Sequence, residues 1–328
     1  MRTTLVGCWL AVAVFLAGCA SGRDTLPAEL QTTRLPMGFI PNVQYAPFYV
    51  AVERGYYADE ELQIEFDYSF ETNGVKLVGA GELPFSLVSG EQVLLARAQG
   101  LPVVYVMAWF QDFPIAVAAP EASGIRAPED LTGKRIGIPL LEGASYIGYR
   151  ALLHAAGMQE QDTVLDTIGF NQVETLVAGR EEAVVVYANN EPLQLEARGH
   201  PVNLIRVADY VTLASNGLLT NEATLTENPE LVRSMVRATL RGIEDTLADP
   251  SAAFEICKKY VEGLDQLSAE DQALQRQILD ASIEFWRADR LGYSDPQAWQ
   301  NMQEVLLAMG LLAAPLELAE AFSNEYLP

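Results

Sequence analysis

From residue 35 onward the chain alternates short β-branched and apolar runs with stretches of helical periodicity, the pattern of α/β proteins. Strands are expected at 35–40, 63–68, 85–88, 103–108, 135–138, 183–187 and 203–206, with helices between them at 48–54, 72–80, 91–99, 146–156 and 171–178. Such alternation predicts parallel sheets flanked by helices. It stops near residue 220, and only helices are expected beyond. Asn228-Pro229-Glu230 supplies an N-cap, a proline at the first helical position and a first-turn acid, after which Leu231, Val232, Met235, Val236, Leu240, Ile243 and Leu247 keep one apolar face. Asp249-Pro250 ends that helix and starts another, a third covers 269–286, and Asp295-Pro296 opens the last, closed by Gly310.

Two extended segments, 114–120 and 211–220, bracket a βαβ group of their own. The expected organisation is therefore one lobe from 34–115 and 216–328 and a second from 116–215, joined by a two-segment hinge. Crossing twice between lobes leaves a cleft in which a ligand can be enclosed.

The first residues point to export. Arg2 precedes an apolar stretch over 5–16, short of the roughly 20 residues that span a bilayer, so 1–18 reads as a signal peptide. It ends in Leu16-Ala17-Gly18-Cys19, which resembles the bacterial lipobox; that likeness implies a diacylglyceryl group on Cys19 and a membrane-anchored chain. Residues 19–33 lack periodicity and read as a flexible tether. Cys8 then leaves with the signal peptide, Cys257 falls in a helical pattern as a small core residue, and no internal disulfide is expected.

Composition narrows function by exclusion. With 44 Asp and Glu against 21 Lys and Arg, the formal charge of −23 repels phosphate backbones, and no nucleic acid partner is expected. Two histidines and three cysteines, without CxxC or HExxH spacing, predict no metal and no resident cofactor. His154 and His200 read as structural or surface residues, the run Asp59-Glu60-Glu61 as a solvated turn, and no catalytic set is proposed.

Four motifs carry a resemblance. Residues 39–51 (FIPNVQYAPFYVA) with 53–57 (ERGYY), 89–97 (SGEQVLLAR), 127–137 (APEDLTGKRIG) and 191–196 (EPLQLE) resemble, in order, the motifs of solute-binding proteins that serve thiamine-pyrimidine, sulfonate and related transporters. The resemblance implies the periplasmic-binding-protein type II fold. It also implies a monomer that hands its ligand to an ABC-type permease from the extracytoplasmic face of the membrane. Within the family, the lipoproteins that bind riboflavin or formylaminopyrimidine are most similar. Pyrimidine binders carry an Asp-Trp pair just before the Pro-Asn and a His three residues after it; this chain has Gly38-Phe39 and Tyr45 there. Losing a carboxylate and an imidazole favours a larger, flatter, neutral ligand. Riboflavin therefore ranks first, a pyrimidine thiamine precursor second. Less favoured are a pyrimidine-synthase-like enzyme, which in fungi relies on a cysteine-rich motif and histidine, and an anchored structural protein that binds no small molecule.

Isoalloxazine is planar and neutral, so its natural hosts are aromatic faces with amide and hydroxyl groups at the rim. Tyr45, Trp109, Phe110, Phe113, Tyr146 and Tyr187 fall at expected strand ends or the loops after them, and Asn42, Asn189, Asn190 and Glu191 supply polar edges. The ligand-binding set expected is Asn42, Tyr45, Trp109, Tyr146, Tyr187, Asn190 and Glu191, with Trp109 and Tyr187 closing on the ring from opposite lobes. Asn42 has a second reading, a brace for the turn after Pro41. Gly143-Ala144-Ser145-Tyr146 opens a helix where sulfonate-binding relatives hold an anion; only Arg150 is near, so a neutral-ligand contact or a plain N-cap is expected.

Overall fold

Strand β1 (Gln31–Gly38) begins the fold in a computed structural model that describes residues 30–328. The signal peptide 1–18, Cys19 and most of the 19–33 tether lie outside the described residues, but the tether ends sooner than expected, since Gln31 already pairs with Leu62. The other strands are β2 (Leu62–Phe70), β3 (Ser86–Val88), β4 (Val103–Ala108), β5 (Ile115–Pro120), β6 (Arg135–Ile138), β7 (Val164–Thr167), β8 (Ala183–Tyr187), β9 (Val202–Arg206) and β10 (Gly217–Asn221). Helices α1 (Ala46–Glu53), α2 (Tyr56–Asp59), α3 (Glu71–Gly79) and α4 (Gly90–Ala98) belong to the first lobe, and α5 (Gly143–Ala155), α6 (Gln172–Val177) and α7 (Glu191–Ala197) to the second. The carboxyl-terminal region adds α8 (Glu222–Glu227), α9 (Pro229–Ala248), α10 (Pro250–Cys257), α11 (Ala269–Trp286), α12 (Pro296–Ala308) and α13 (Leu318–Ala321).

The second lobe is a five-stranded sheet in the order β7-β6-β8-β5-β9; the first holds the parallel pair β1-β2 and the sheet β3-β10-β4. Parallel pairing was expected throughout, and here the fold departs. β5 runs antiparallel to β8 and β9, and β10 antiparallel to β3 and β4. These two strands are the segments read as extended connectors. Each lies where the chain has just crossed between lobes, and it enters the new sheet against the direction of its neighbours.

The helices that follow are capped as their sequences dictate. Asn228 accepts from Leu231 N at 3.2 Å, Asp249 from Ala252 N at 3.0 Å and Asp295 from Gln297 N at 2.9 Å. On α9 the apolar face Val232, Met235, Val236, Leu240 and Ile243 is buried. Asp59 and Glu60 are more than a solvated turn, because Arg241 donates to Asp59 at 3.0 Å and Arg237 to Glu60 at 2.6 Å, tying the end of α2 to α9. Cys257 is buried, and burial pushes its thiol up to about 12, out of reach as a nucleophile. One buried cluster joins Val117, Ile136, Tyr149 and Leu152 of the second lobe to Val93, Tyr105 and Trp299 of the first, so the lobes share packing beside the crossings. No described helix is long and apolar enough to cross a membrane.

Candidate functional site

A cleft of about 1130 Å³, open to solvent, lies between the lobes. Its walls are the carboxyl ends of strands and the segments that leave them: 37–45 at the end of β1, 109–110 after β4, 139–145 after β6, and Tyr187, Asn190 and Glu191 at and after the end of β8. Open α/β sheets gather ligands at such ends, because the connections there are free to vary while the strands hold them in place. Glu71 and Thr72 at the start of α3, Gln92 on α4, and Asn216 before β10 complete the floor.

Six of the seven expected residues line this cleft, and their roles divide. Trp109 stacks on Tyr45 at 5.4 Å and 25°, with Phe48 and Phe110 edge-on to it, so the indole forms a wall while also serving as core at 5% exposure. Tyr45 commits its hydroxyl to Met37 O at 2.8 Å. Asn42 lines the cleft and braces the turn, donating to Ile40 O at 2.9 Å and accepting from Gln44 N at 2.8 Å, which bears out the second reading of this residue. Tyr187 stands on the opposite wall at the end of β8. Asn190 accepts from Gln194 Nε2 at 2.9 Å, and Glu191 accepts from Tyr187 N at 2.9 Å across the start of α7.

Tyr146 is not among the lining residues. Its hydroxyl donates to Glu160 at 2.7 Å and accepts from Arg150 at 2.7 Å, a pairing set by the i, i+4 spacing on α5. One and two positions earlier, Ser145 and Ala144 line the cleft instead. Asn189 donates to Ser282 at 2.8 Å, and Phe113 is core.

The residues missed are mostly acids and amides, Glu71, Gln92 and Asn216 on the floor and Glu91 buried behind it. Glu71 and Glu91 flank Ser89, whose hydroxyl lies 2.8 Å from one carboxyl and 2.5 Å from the other. Burial, followed by the Glu91 charge, pushes the Glu71 carboxyl up to about 8; burial alone pushes Glu191 up to about 7. Asn216 donates to Glu71 at 3.4 Å and leaves its own Oδ1, buried, without a partner, as Trp109 leaves Nε1. No lysine, arginine, histidine or cysteine is among the lining residues. The cleft therefore suits a neutral ligand with a flat face and N–H and carbonyl groups at its edge. An apolar rim of Phe39, Phe70, Leu140 and Phe170 surrounds this polar floor. Glu91 stands inside the motif at 89–97, so its position was in view, whereas Glu71 has no motif and is brought there only by the fold.

Comparison with known proteins agrees with this geometry. The family described as NMT1/THI5 like matches residues 42–253. A riboflavin-binding protein, RibY, of Chloroflexus aurantiacus is 38% identical over 349 aligned positions, covering 100% of this chain and 99% of the relative. A formylaminopyrimidine-binding protein of Halalkalibacterium halodurans is 27% identical, covering 96% of each. A 4-amino-5-hydroxymethyl-2-methylpyrimidine phosphate synthase of Legionella pneumophila is 23% identical over 90% of this chain and 92% of its own. Among solved structures, the periplasmic aliphatic sulphonate binding protein SsuA of Escherichia coli superposes with a TM-score of 0.73 at 11% identity, covering 90% of this chain and 99% of that one, a likeness of fold alone.

Proposed function

The chain belongs to the NMT1/THI5-like family, and from that premise we propose that it is the lipid-anchored solute-binding protein of an ABC-type importer, taking up riboflavin and delivering it to a permease. One observation carries the ligand: the 38% identity to a riboflavin-binding protein runs the full length of both chains. The cleft agrees in chemistry, with aromatic walls for a tricyclic ring, amides and carboxyls for its imide edge and ribityl hydroxyls, and no cation to hold an anionic substrate. The protein acts as a monomer held to the extracytoplasmic face through Cys19, and it performs no reaction of its own.

A pyrimidine thiamine precursor is the second reading, favoured by the acids near the floor, since carboxyl groups pair well with amino-pyrimidine N–H donors. Titration calorimetry against riboflavin, formylaminopyrimidine and thiamine separates the two. Riboflavin is expected to bind with a Kd on the order of 0.01 to 1 μM. Tighter binding of the pyrimidine reverses the order. Anchoring is tested by Cys19→Ser, which should move the protein from the membrane fraction into the soluble one; unchanged retention refutes it.

A further inference from the structure

Glu71 lines the cleft floor, and behind it Ser89 and Glu91, both fully buried, set a second carboxyl on the same hydroxyl. Glu71 opens α3 and Glu91 lies in the first turn of α4, with Ser89 Oγ 2.8 Å from Glu71 Oε2 and 2.5 Å from Glu91 Oε1. A serine hydroxyl has one proton to donate, so it satisfies one of these contacts. The other needs a proton on a carboxyl. We propose that Glu71 is the specificity-determining residue of the cleft, standing as an un-ionised acid that donates to Ser89, which in turn donates to an ionised Glu91, and that ligand affinity depends on this proton.

The placement of the charge follows from the surroundings. Glu91 sits at the amino end of α4, where the helix dipole favours an anion, and Gln92 Nε2 adds a donor at 3.4 Å. Glu71, at the start of α3, likewise has the Ser89 N–H and Asn216 Nδ2 at 3.4 Å each, so donors alone do not separate the two; the shorter Ser89 contact, 2.5 Å to Glu91 against 2.8 Å to Glu71, marks Glu91 as the ionised acceptor. Glu71 faces Glu91 from α4, Tyr45 from the turn after β1, Tyr187 from β8 and, further off, Glu191 from α7, all acidic or neutral. On β1 it meets Gly38, where a Cβ would lie 2.8 Å from Glu71 Cγ. Ionising Glu71 therefore sets a second negative charge beside the first with no lining cation to balance it. Burial, then the charge on Glu91, raises the carboxyl to about 8, in keeping with this geometry.

A second feature points to a ligand. Asn216, 8% exposed, reaches Glu71 Oε1 at 3.4 Å with Nδ2 while its Oδ1 has no partner in the chain. An acid carbonyl and a free amide oxygen side by side accept from adjacent N–H or O–H groups of a neutral molecule. Closing the cleft over an anion would strand that charge away from water, whereas closing it over an acid does not. The inference rests on the binding reading above and sharpens it: the class admitted is neutral and donor-edged, and it is held only while Glu71 keeps its proton.

Riboflavin titrated calorimetrically between about pH 6 and pH 9 tests this. Wild-type affinity should be level up to about pH 7 and roughly tenfold weaker at pH 9, as the competent fraction falls. With Glu191→Gln as a common background, so that the other raised carboxyl of the lining does not titrate, adding Glu71→Gln should drop the ratio between pH 9 and pH 7 to about one, whatever the affinity. Glu91→Gln should move the break to lower pH. A level wild-type profile, or an undiminished fall once Glu71→Gln is added to that background, overturns the proposal. The infrared carbonyl band of an un-ionised carboxyl in ligand-free protein, present at pH 7 in wild type, gone by about pH 9.5, and lost in Glu71→Gln but kept in Glu191→Gln, provides a check that needs no ligand. Should riboflavin not bind at any pH, the riboflavin reading falls while that band still decides the proton, its absence at pH 7 overturning it.

Discussion

Trp109 and Tyr187 were expected to play matching parts, and their surroundings separate them. Trp109 is packed by Tyr45, Phe48, Phe110 and Trp286 and is 5% exposed, so Trp109→Ala should cost both binding and about 3–5 kcal/mol of stability. Tyr187 is half-buried at a strand end. Tyr187→Ala should weaken riboflavin binding by roughly 2 to 4 kcal/mol from lost stacking and area, with a smaller loss of stability. Calorimetry paired with thermal melts checks the split; binding within about twofold of wild type in Tyr187→Ala removes the clamp. Glu191 carries a pH dependence of its own. Its carboxyl is raised from 4.5 to about 7 by burial, so the folded chain holds a proton that the unfolded chain has lost. Stability from this group is full below pH 4.5 and is lost as pH rises to about 7, and Glu191→Gln should flatten that part of the melting profile. At this scale Trp109 and Tyr187 were legible because apolar runs end on them. Tyr146 misled because a residue's direction on a helix depends on where that helix sits.

Among the elements, the pairing of α1 with α9 leaves no room for an added methyl group. At Gly242 an added Cβ would stand 2.1 Å from Pro47 O and 2.8 Å from Ala51 Cβ, and backbone cannot give way as a flexible side chain can. Gly242→Ala should destabilise by about 1–3 kcal/mol through overpacking, despite alanine's better helix propensity. Asn228→Ala, at the cap of the same helix, should cost about 1 kcal/mol by leaving Leu231 N unpaired. Chemical denaturation measures both, and a stabilised Gly242→Ala contradicts the close approach. Caps and periodicity are local, so the carboxyl-terminal helices were readable from sequence. β7 was not: Val-Leu-Asp-Thr at a sheet edge has neither alternation nor a continuous apolar run. α7 escaped for a similar reason, being a short helix that opens with Glu-Pro.

For the whole molecule, the relevant motion is closure of one lobe on the other. Phe39 beside β1 and Phe170 before α6 meet at 5.0 Å across the cleft mouth, Phe170 keeping 50% of its surface exposed. Phe170→Ala should speed riboflavin release severalfold in stopped-flow fluorescence while changing stability by no more than about 0.5 kcal/mol. An unchanged release rate shows that the contact does not hold the cleft shut. Riboflavin at a hundredfold excess over Kd should stabilise the chain by about 2.7 kcal/mol, which a melt with and without ligand reads directly. The sequence by itself determined the α/β class, the switch to helices after residue 220 and the positions of most elements, because periodicity, caps and apolar runs act within a few residues. The two antiparallel crossings, the meeting of Glu71 with Glu91 across Ser89 and the turn of Tyr146 away from the cleft were decided by the tertiary structure. Each depends on which segments distant along the chain become neighbours, and local pattern carries no record of that.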